Sequence, residues 1–331
     1  VENQLKSASE FIARGITRQE NGDLDGAIAD FSEALNVDPN SAAAYANRGN
    51  ARDEKGDYDG AMADYNKAIQ INPNLAPAYV NRGIARATKG DYVGAIADET
   101  TAIEIDPGFA EAYVKRGIAR HDTGDFDGAV ADFSKAVEIN PQLAEAYGER
   151  GNTYDDKGDF ESAIRDYDKA IGIDPTLARL YVNRGIARYR KRDYTGAISD
   201  YNRAIEIEPR LSEAYLNRGI ARADEGDLDG AIADWTKAIE LNPRYTTAYN
   251  NRGIARAMKG DPDGAIADFS KVIEISPQSA AAYSNRAKAR YNKGNIDGAI
   301  RDCQEFLRLA PNHPEAPTVR KVANALEKLR N

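Results

Sequence analysis

The sequence predicts an all-α fold: a solenoid of antiparallel helix hairpins. Three observations lead there. Prolines recur at positions 39, 73, 107, 141, 175, 209, 243, 277 and 311, each 34 residues after the last and with no insertion between them. Between successive prolines the small and apolar residues return at spacings of three and four, the period of one helical face. And 331 residues at 42% hydrophobic content are too many for one ordinary core, yet no composition shift, Ser/Gly tract or charge block divides them. A repeating architecture reconciles the length with the uniformity.

Each repeat reads as two helices and two breaks. In the second, Tyr45, Gly49 and Arg52 mark one helical face, and Ala61, Tyr65 and Ala68 mark another. The break between them is Gly56-Asp57, where Gly permits an unusual backbone and Asp caps the next helix. The break after them is Asn72-Pro73, where Pro stops extension. A helix of about 13 residues with a narrow apolar stripe is marginal alone, so each hairpin must bury its faces on its neighbours. The expected organisation is nine hairpins over 1–314, with frames starting at 8, 42, 76, 110, 144, 178, 212, 246 and 280, forming one solenoid. A capping helix is expected over 315–331.

Small residues carry the expected packing. Gly15, Gly49, Gly83, Gly117, Gly151, Gly185, Gly219 and Gly253 recur in the first helices, and alanines from Ala27 to Ala299 recur in the second, letting paired helices approach. Phe11 and then Tyr45, Tyr79, Tyr113, Tyr147, Tyr181, Tyr215, Tyr249 and Tyr283 are expected to fill the space beside them as core, not as a ligand cage. Glu99 breaks the aromatic pattern of the second helices and predicts a hinge or a polar pocket between the third and fourth hairpins. The last hairpin departs too: Ala287 replaces Gly, Cys303 an aromatic and Phe306 an Ala. Beyond it, Val319, Val322, Leu326 and Leu329 predict the apolar stripe of the closing helix, with Arg320, Lys321, Glu327 and Lys328 outward.

Tyr45-x-x-Arg48-Gly49-x-x-Arg52, then Ala61-x-x-x-Tyr65, then Pro73, resembles the tetratricopeptide pattern Trp-x-x-Leu-Gly-x-x-Tyr, Ala-x-x-x-Phe, Pro, and the resemblance extends from residue 8 to 311. Two positions depart from it. Where the family has Leu, every repeat has Arg, from Arg14 to Arg286; where it has Tyr, every repeat but the fifth, which keeps Tyr154, has a second Arg. Guanidinium groups at packing positions require carboxylates, and the second helices supply Asp30, Asp64, Asp98, Asp132, Asp166, Asp200, Asp234, Asp268 and Asp302. The matched stoichiometry predicts an internal Arg–Asp network that sets hairpin register; the competing reading is an anion-binding row for phosphate or an acidic peptide.

The resemblance implies that the hairpins stack into a right-handed superhelical solenoid; in that family first helices line a concave face, and the residue before the Arg-Gly step points into it. Here that residue is Asn47, Asn81, Asn183, Asn217, Asn251 and Asn285, interrupted by Lys115 and Glu149. This is similar to the asparagine ladder in the repeat region of O-linked N-acetylglucosamine transferase, which grips an extended peptide by its main chain. A side-chain amide both donates and accepts, so it pairs with a peptide bond of any sequence. Ile84, Ile118, Ile186, Ile220 and Ile254, with Val80, Val114, Val182 and Leu216, are expected to form an apolar floor between the amides. The alternative is that the asparagines tie neighbouring hairpins together. Glu149, Asp155 and Asp156 against Arg179, Arg190, Lys191 and Arg192 give a charge asymmetry that would orient a ligand. A chaperone-tail clamp is excluded, because pairs such as Val80 with Ile84 and Val182 with Ile186 are apolar where it needs Lys and Asn.

Chemistry is sparse. With only His121, His313 and Cys303, no metal-ligand spacing and no nucleophile–base constellation arises, and Cys303 reads as a buried spacer. Asn21-x-Asp23-x-Asp25-Gly26 imitates half of a calcium loop, but Ser32 stands where the bidentate Glu belongs, so helix capping is expected. A net charge of −9 argues against nucleic acid. No stretch approaches the ~20 apolar residues of a membrane span. The single cysteine fits a reducing compartment, with the cytoplasm favoured; an exported protein without disulfides fits as well. The chain begins Val1-Glu2-Asn3-Gln4, not with Met, and the expectation is that a leader or preceding domain has been removed. The expected function is a non-enzymatic scaffold, without cofactor, that binds an extended segment of another protein. The alternatives are a self-assembling element, in which a second copy is the partner, and the targeting region of a larger enzyme.

Overall fold

A computed structural model describes residues 7–330, with side chains through 328; Val1 to Gln4 and the Leu329 side chain lie outside the described residues. Nineteen α-helices and no strands occur among the described residues. They fall into two compact units, 1–173 and 174–331. The first unit holds α1 (Ala8–Glu20), α2 (Leu24–Val37), α3 (Ala42–Glu54), α4 (Tyr58–Ile71), α5 (Ala76–Thr88), α6 (Tyr92–Ile105), α7 (Ala110–Asp122), α8 (Phe126–Ile139), α9 (Ala144–Asp156) and α10 (Phe160–Ile173). The second holds α11 (Ala178–Arg190), α12 (Tyr194–Ile207), α13 (Ser212–Glu225), α14 (Leu228–Leu241), α15 (Thr246–Met258), α16 (Pro262–Ile275), α17 (Ala280–Asn292), α18 (Ile296–Leu309) and α19 (Ala316–Arg330). Within each unit, consecutive helices pair as antiparallel hairpins and each hairpin packs on the next. The fold is all-α, built of stacked helix hairpins.

The turns explain the helix limits. Asp57 Oδ1 accepts the Gly60 amide at 3.0 Å, and the same cap recurs at Asp23, Asp91, Asp125, Asp193, Asp227 and Asp261. That bond at Asp23 is the use found for the calcium-like segment, as expected. At the other break, the residue before Pro is extended, with Asn72 at φ −129° and ψ 93°, and its side-chain oxygen accepts the Asn74 amide at 3.1 Å. The turn inside each hairpin needs a left-handed residue. Gly56 supplies it at φ 84°, but the sixth hairpin puts Arg192 there at φ 65°. An Arg192→Gly variant is expected to gain about 1 kcal/mol of stability, read as a higher denaturant midpoint with unchanged slope.

In seven of the nine hairpins an aromatic residue of the second helix fills the hairpin interior. A Cβ added to Gly117 would lie 2.7 Å from the Phe133 ring, and one at Gly151 the same distance from Tyr167, so the first-helix glycine is there to admit the ring. The first-helix aromatics pack against the core clusters, as expected, and take a second role as well. Most of them are only half-buried, and each lies over a guanidinium, with the arginine carbon 5.3 Å from the ring centre at Phe11 and 5.6 Å at Tyr249.

At the end of the second unit, Val319, Ala323 and Leu326 of α19 are buried, with Val319 and Ala323 against Cys303 and Phe306. Val322 is instead 46% exposed. Its expected place in the stripe is therefore corrected: α19 presents the face of Ala316, Val319 and Ala323 to its neighbour, and Val322 sits beside that face.

Candidate functional site

The Arg–Asp pairs form in every hairpin. The first-helix arginine donates from Nε and Nη2 to the two oxygens of its aspartate at 2.5–3.1 Å, from Arg14–Asp30 through Arg286–Asp302. The second arginine, one turn on, reaches the same carboxylate at 2.7 Å in Arg52–Asp64 and 2.9 Å in Arg188–Asp200. The first arginine also reaches back. Its Nη1 donates to a side chain of the preceding hairpin's second helix: Arg48 to Ser32, Arg82 to Asn66, Arg116 to Thr100 and Arg218 to Asn202, at 2.6–3.2 Å. From the second hairpin on, the arginines named here each donate from Nε, Nη1 and Nη2 to internal partners and lie with one face against an aromatic ring. The network is internal, as the matched stoichiometry predicts, and this weighs against an anion-binding row.

The asparagines before the Arg-Gly step are all half-buried. Asn81 donates to Asn50 Oδ1 at 2.8 Å, which also accepts the Tyr65 hydroxyl at 3.0 Å, and Asn285 donates to Asn250 at 3.1 Å. Those two tie hairpins together. The side-chain amides of Asn47, Asn217 and Asn251 make no hydrogen bond among the described residues. Of the expected apolar floor, Ile84, Ile118, Ile186 and Ile220 are half-buried and Ile254 is 40% exposed. Val80, Val114, Val182 and Leu216 are not part of it. They are core: Val80 packs with Ala102 of α6 and Ala112 of α7, so the next hairpin covers it.

Three of the expected residues meet in the second unit. Ile220, Asn251 and Ile254 line a pocket of about 200 Å3 with Trp235, Asp224 and Met258, and Met258 is 70% exposed. In the first unit, Asn81 and Ile84 line another of about 220 Å3 with Asn50, Asp53 and Glu54. The Asp53 carboxyl is pushed up by burial and, secondly, by Glu54. Sequence reasoning missed Asn50, Asp53 and Met258. The signal for the first was available, since Asn50 stands where Ile84 and Ile118 follow at 34-residue intervals.

The remaining expectations divide. Arg179, Arg190, Lys191 and Arg192 are exposed, whereas Glu149 is half-buried, with its carboxyl pushed up by burial and its Oε2 accepting from Asn152 at 3.2 Å. Cys303 is buried, which raises its thiol pKa above the ordinary value. It stands at an aromatic position, and beside it lies a pocket of about 330 Å3 walled by Tyr291, Val319 and Val322. Among the described residues, no cluster of His, Cys, Asp or Glu has the form of a metal site, and no helix is long and apolar enough to cross a membrane.

Family models described as tetratricopeptide repeat match residues 42–75, 178–211, 216–280 and 280–313, and one described as TPR repeat matches 19–53, 119–158 and 151–192. The chain belongs to the tetratricopeptide repeat family. Tetratricopeptide repeat proteins generally mediate protein–protein interaction, and as scaffolds they are generally non-catalytic. No curated protein matches the sequence. Among solved structures, MamA is 31% identical, over 50% of this chain and 96% of its own, with a TM-score of 0.47. The Cut9–Hcn1 hetero-tetramer of the APC/C contains a chain 17% identical, over 97% of this chain and 78% of its own, with a TM-score of 0.56. The C-terminal part of a TPR repeat-containing protein from Cytophaga hutchinsonii is 20% identical, over 72% of this chain and 97% of its own, with a TM-score of 0.58. At these identities the last two share the tetratricopeptide fold and nothing finer.

Proposed function

We propose that this tetratricopeptide repeat chain is a non-catalytic scaffold that holds an extended segment of a partner protein, gripping its main chain through side-chain amides on the first helices. The observation that carries the reading is the second-unit pocket, where the amide of Asn251 is unpaired among the described residues and stands beside Ile254 and Met258, 40% and 70% exposed. An unpaired amide next to exposed apolar side chains matches a peptide bond flanked by apolar residues. Asn217, one hairpin earlier, carries a second unpaired amide. The internal pairing of the guanidinium groups with the aspartates supports a neutral peptide backbone over phosphate as the ligand.

The test is selection of extended peptides from a displayed library by the parent protein and by Asn217→Ala/Asn251→Ala. The parent is expected to enrich peptides that the double variant, melting at the same temperature, binds at least about tenfold more weakly, a loss of about 1.4 kcal/mol. Equal binding by both would remove the amides from the site. A sedimentation coefficient that rises with concentration would turn the reading to self-assembly, with a second copy as the occupant.

A further inference from the structure

We propose that the third hairpin contains a binding pocket for an alkylammonium group, with Glu99 as its counter-charge. Seven hairpins place an aromatic ring at this position: Phe31, Tyr65, Phe133, Tyr167, Tyr201, Trp235 and Phe269. Here the ring is missing. The Glu99 carboxyl group lies over Gly83 instead, its Oε1 next to where a Cβ would stand. Beside it is a pocket of about 240 Å3 whose walls include Ile84, Ala87, Ala95, Ile118 and Ala119. Glu99 is 1% exposed, and neither of its oxygens has a hydrogen-bond partner. A buried carboxyl without partners is costly, and the apolar walls provide none.

The surrounding charges are already committed. Asp98, beside Glu99 on α6, is held by Arg82 and Arg86. From α7, Arg116 is bound to Asp132 and Thr100, and Lys115, which also lines the pocket, is bound to Glu145 at 2.8 Å. Glu111 adds negative potential. The pocket therefore rejects an anion and offers a cation both a counter-charge and an apolar sleeve for its stem. That is the chemistry of a lysine side chain or of a free alkyl amine. The pocket does not depend on the amide reading above, since a free amine can enter with no peptide across the hairpins.

In the empty pocket, burial first and then Asp98 and Glu111 push the Glu99 carboxyl up to about 9, so it is protonated at neutral pH. An incoming ammonium keeps its own proton, and the carboxylic acid gives up one proton to the solvent as the ion pair forms. Binding should then tighten as pH rises toward 9, by up to about tenfold per pH unit.

The experiment is calorimetric titration of the whole chain with n-butylammonium chloride and with acetyl-Ala-Ala-Lys-Ala-Ala-amide, near pH 7 and pH 8, in buffers of different ionisation heat. The expected result is saturable n-butylammonium binding with release of about one proton. Glu99→Gln should bind at least about tenfold more weakly with no proton release. Glu99→Phe, which restores the ring, should not bind. A peptide tighter than the free amine assigns the pocket to a partner's lysine; one equal or weaker assigns it to a free amine. No saturable n-butylammonium binding by the parent up to about 10 mM would overturn the proposal. So would unchanged binding by both variants.

Discussion

Glu99→Phe is expected to melt well above the parent at neutral pH, with a gap that widens at alkaline pH and narrows on acidification. The ring would enter a space beside Gly83 that seven other hairpins fill with an aromatic, and it would remove a buried carboxyl whose two oxygens have no partner. The sign follows from proton binding. The folded-state pKa is raised from 4.5 to about 9, so between those values the folded protein holds a proton that the unfolded chain has lost, and stability falls as pH rises through that window. At pH 7 this costs the parent about 3 kcal/mol, and burial of the ring adds about 2 kcal/mol to the variant. Thermal melts of both proteins from pH 5 to pH 9 check the slope, because carboxylates common to both cancel in the difference. Parallel curves would place Glu99 in contact with water.

Asp200→Ala is expected to cost about 3–5 kcal/mol, because it removes the buried carboxylate that two arginines share. Asp200 is 3% exposed; Arg184 donates to both of its oxygens, at 3.1 and 2.6 Å, and Arg188 donates to one at 2.9 Å. A second variant separates a register lock from a net stabiliser. Adding Arg184→Leu and Arg188→Leu removes the positive charges that Asp200 had balanced, and stability should recover in large part, since apolar groups of similar volume often replace a buried ionic cluster at little cost. Denaturant midpoints check both. An unchanged midpoint in Asp200→Ala would mean that water or another carboxylate holds the guanidinium groups.

The sequence disclosed the Arg–Asp pairing because both partners recur together in all nine repeats and nothing else could neutralise arginines at packing positions. It marked the Glu99 position as a break in the aromatic column, although the polar pocket expected there has mostly apolar walls. The site was less legible. A first helix in a stack carries two apolar stripes, one against its own hairpin and one against the next, and a single-helix pattern does not say which the neighbour covers. Val80 and Ile84 lie one turn apart, yet α7 covers Val80 and leaves Ile84 half-buried. The asparagines look equivalent for a similar reason. Asn81 is tied down only because Asn50 replaces an isoleucine one repeat earlier, a dependence across hairpins that appears only when they are stacked. Val322 and Ala323 compete for one face of α19, and the contour set by Cys303 and Phe306 decides between them.

The arginine that reaches back to the preceding hairpin has a consequence for how such a chain changes length. Donor and acceptor of the joint are both encoded in a repeat, as Arg48 and Asn66 are in the second, where one faces backward to Ser32 and the other forward to Arg82. A segment cut or copied in multiples of 34 residues carries one complete half-joint at each end, so the new neighbours meet with matching groups whatever their number. Duplication in whole repeats therefore keeps every joint matched, whereas a gain or loss of another length inside a helix turns an arginine away from its partner. The strict period is then the trace of a coupling standard, which filters which insertions and deletions the lineage can keep.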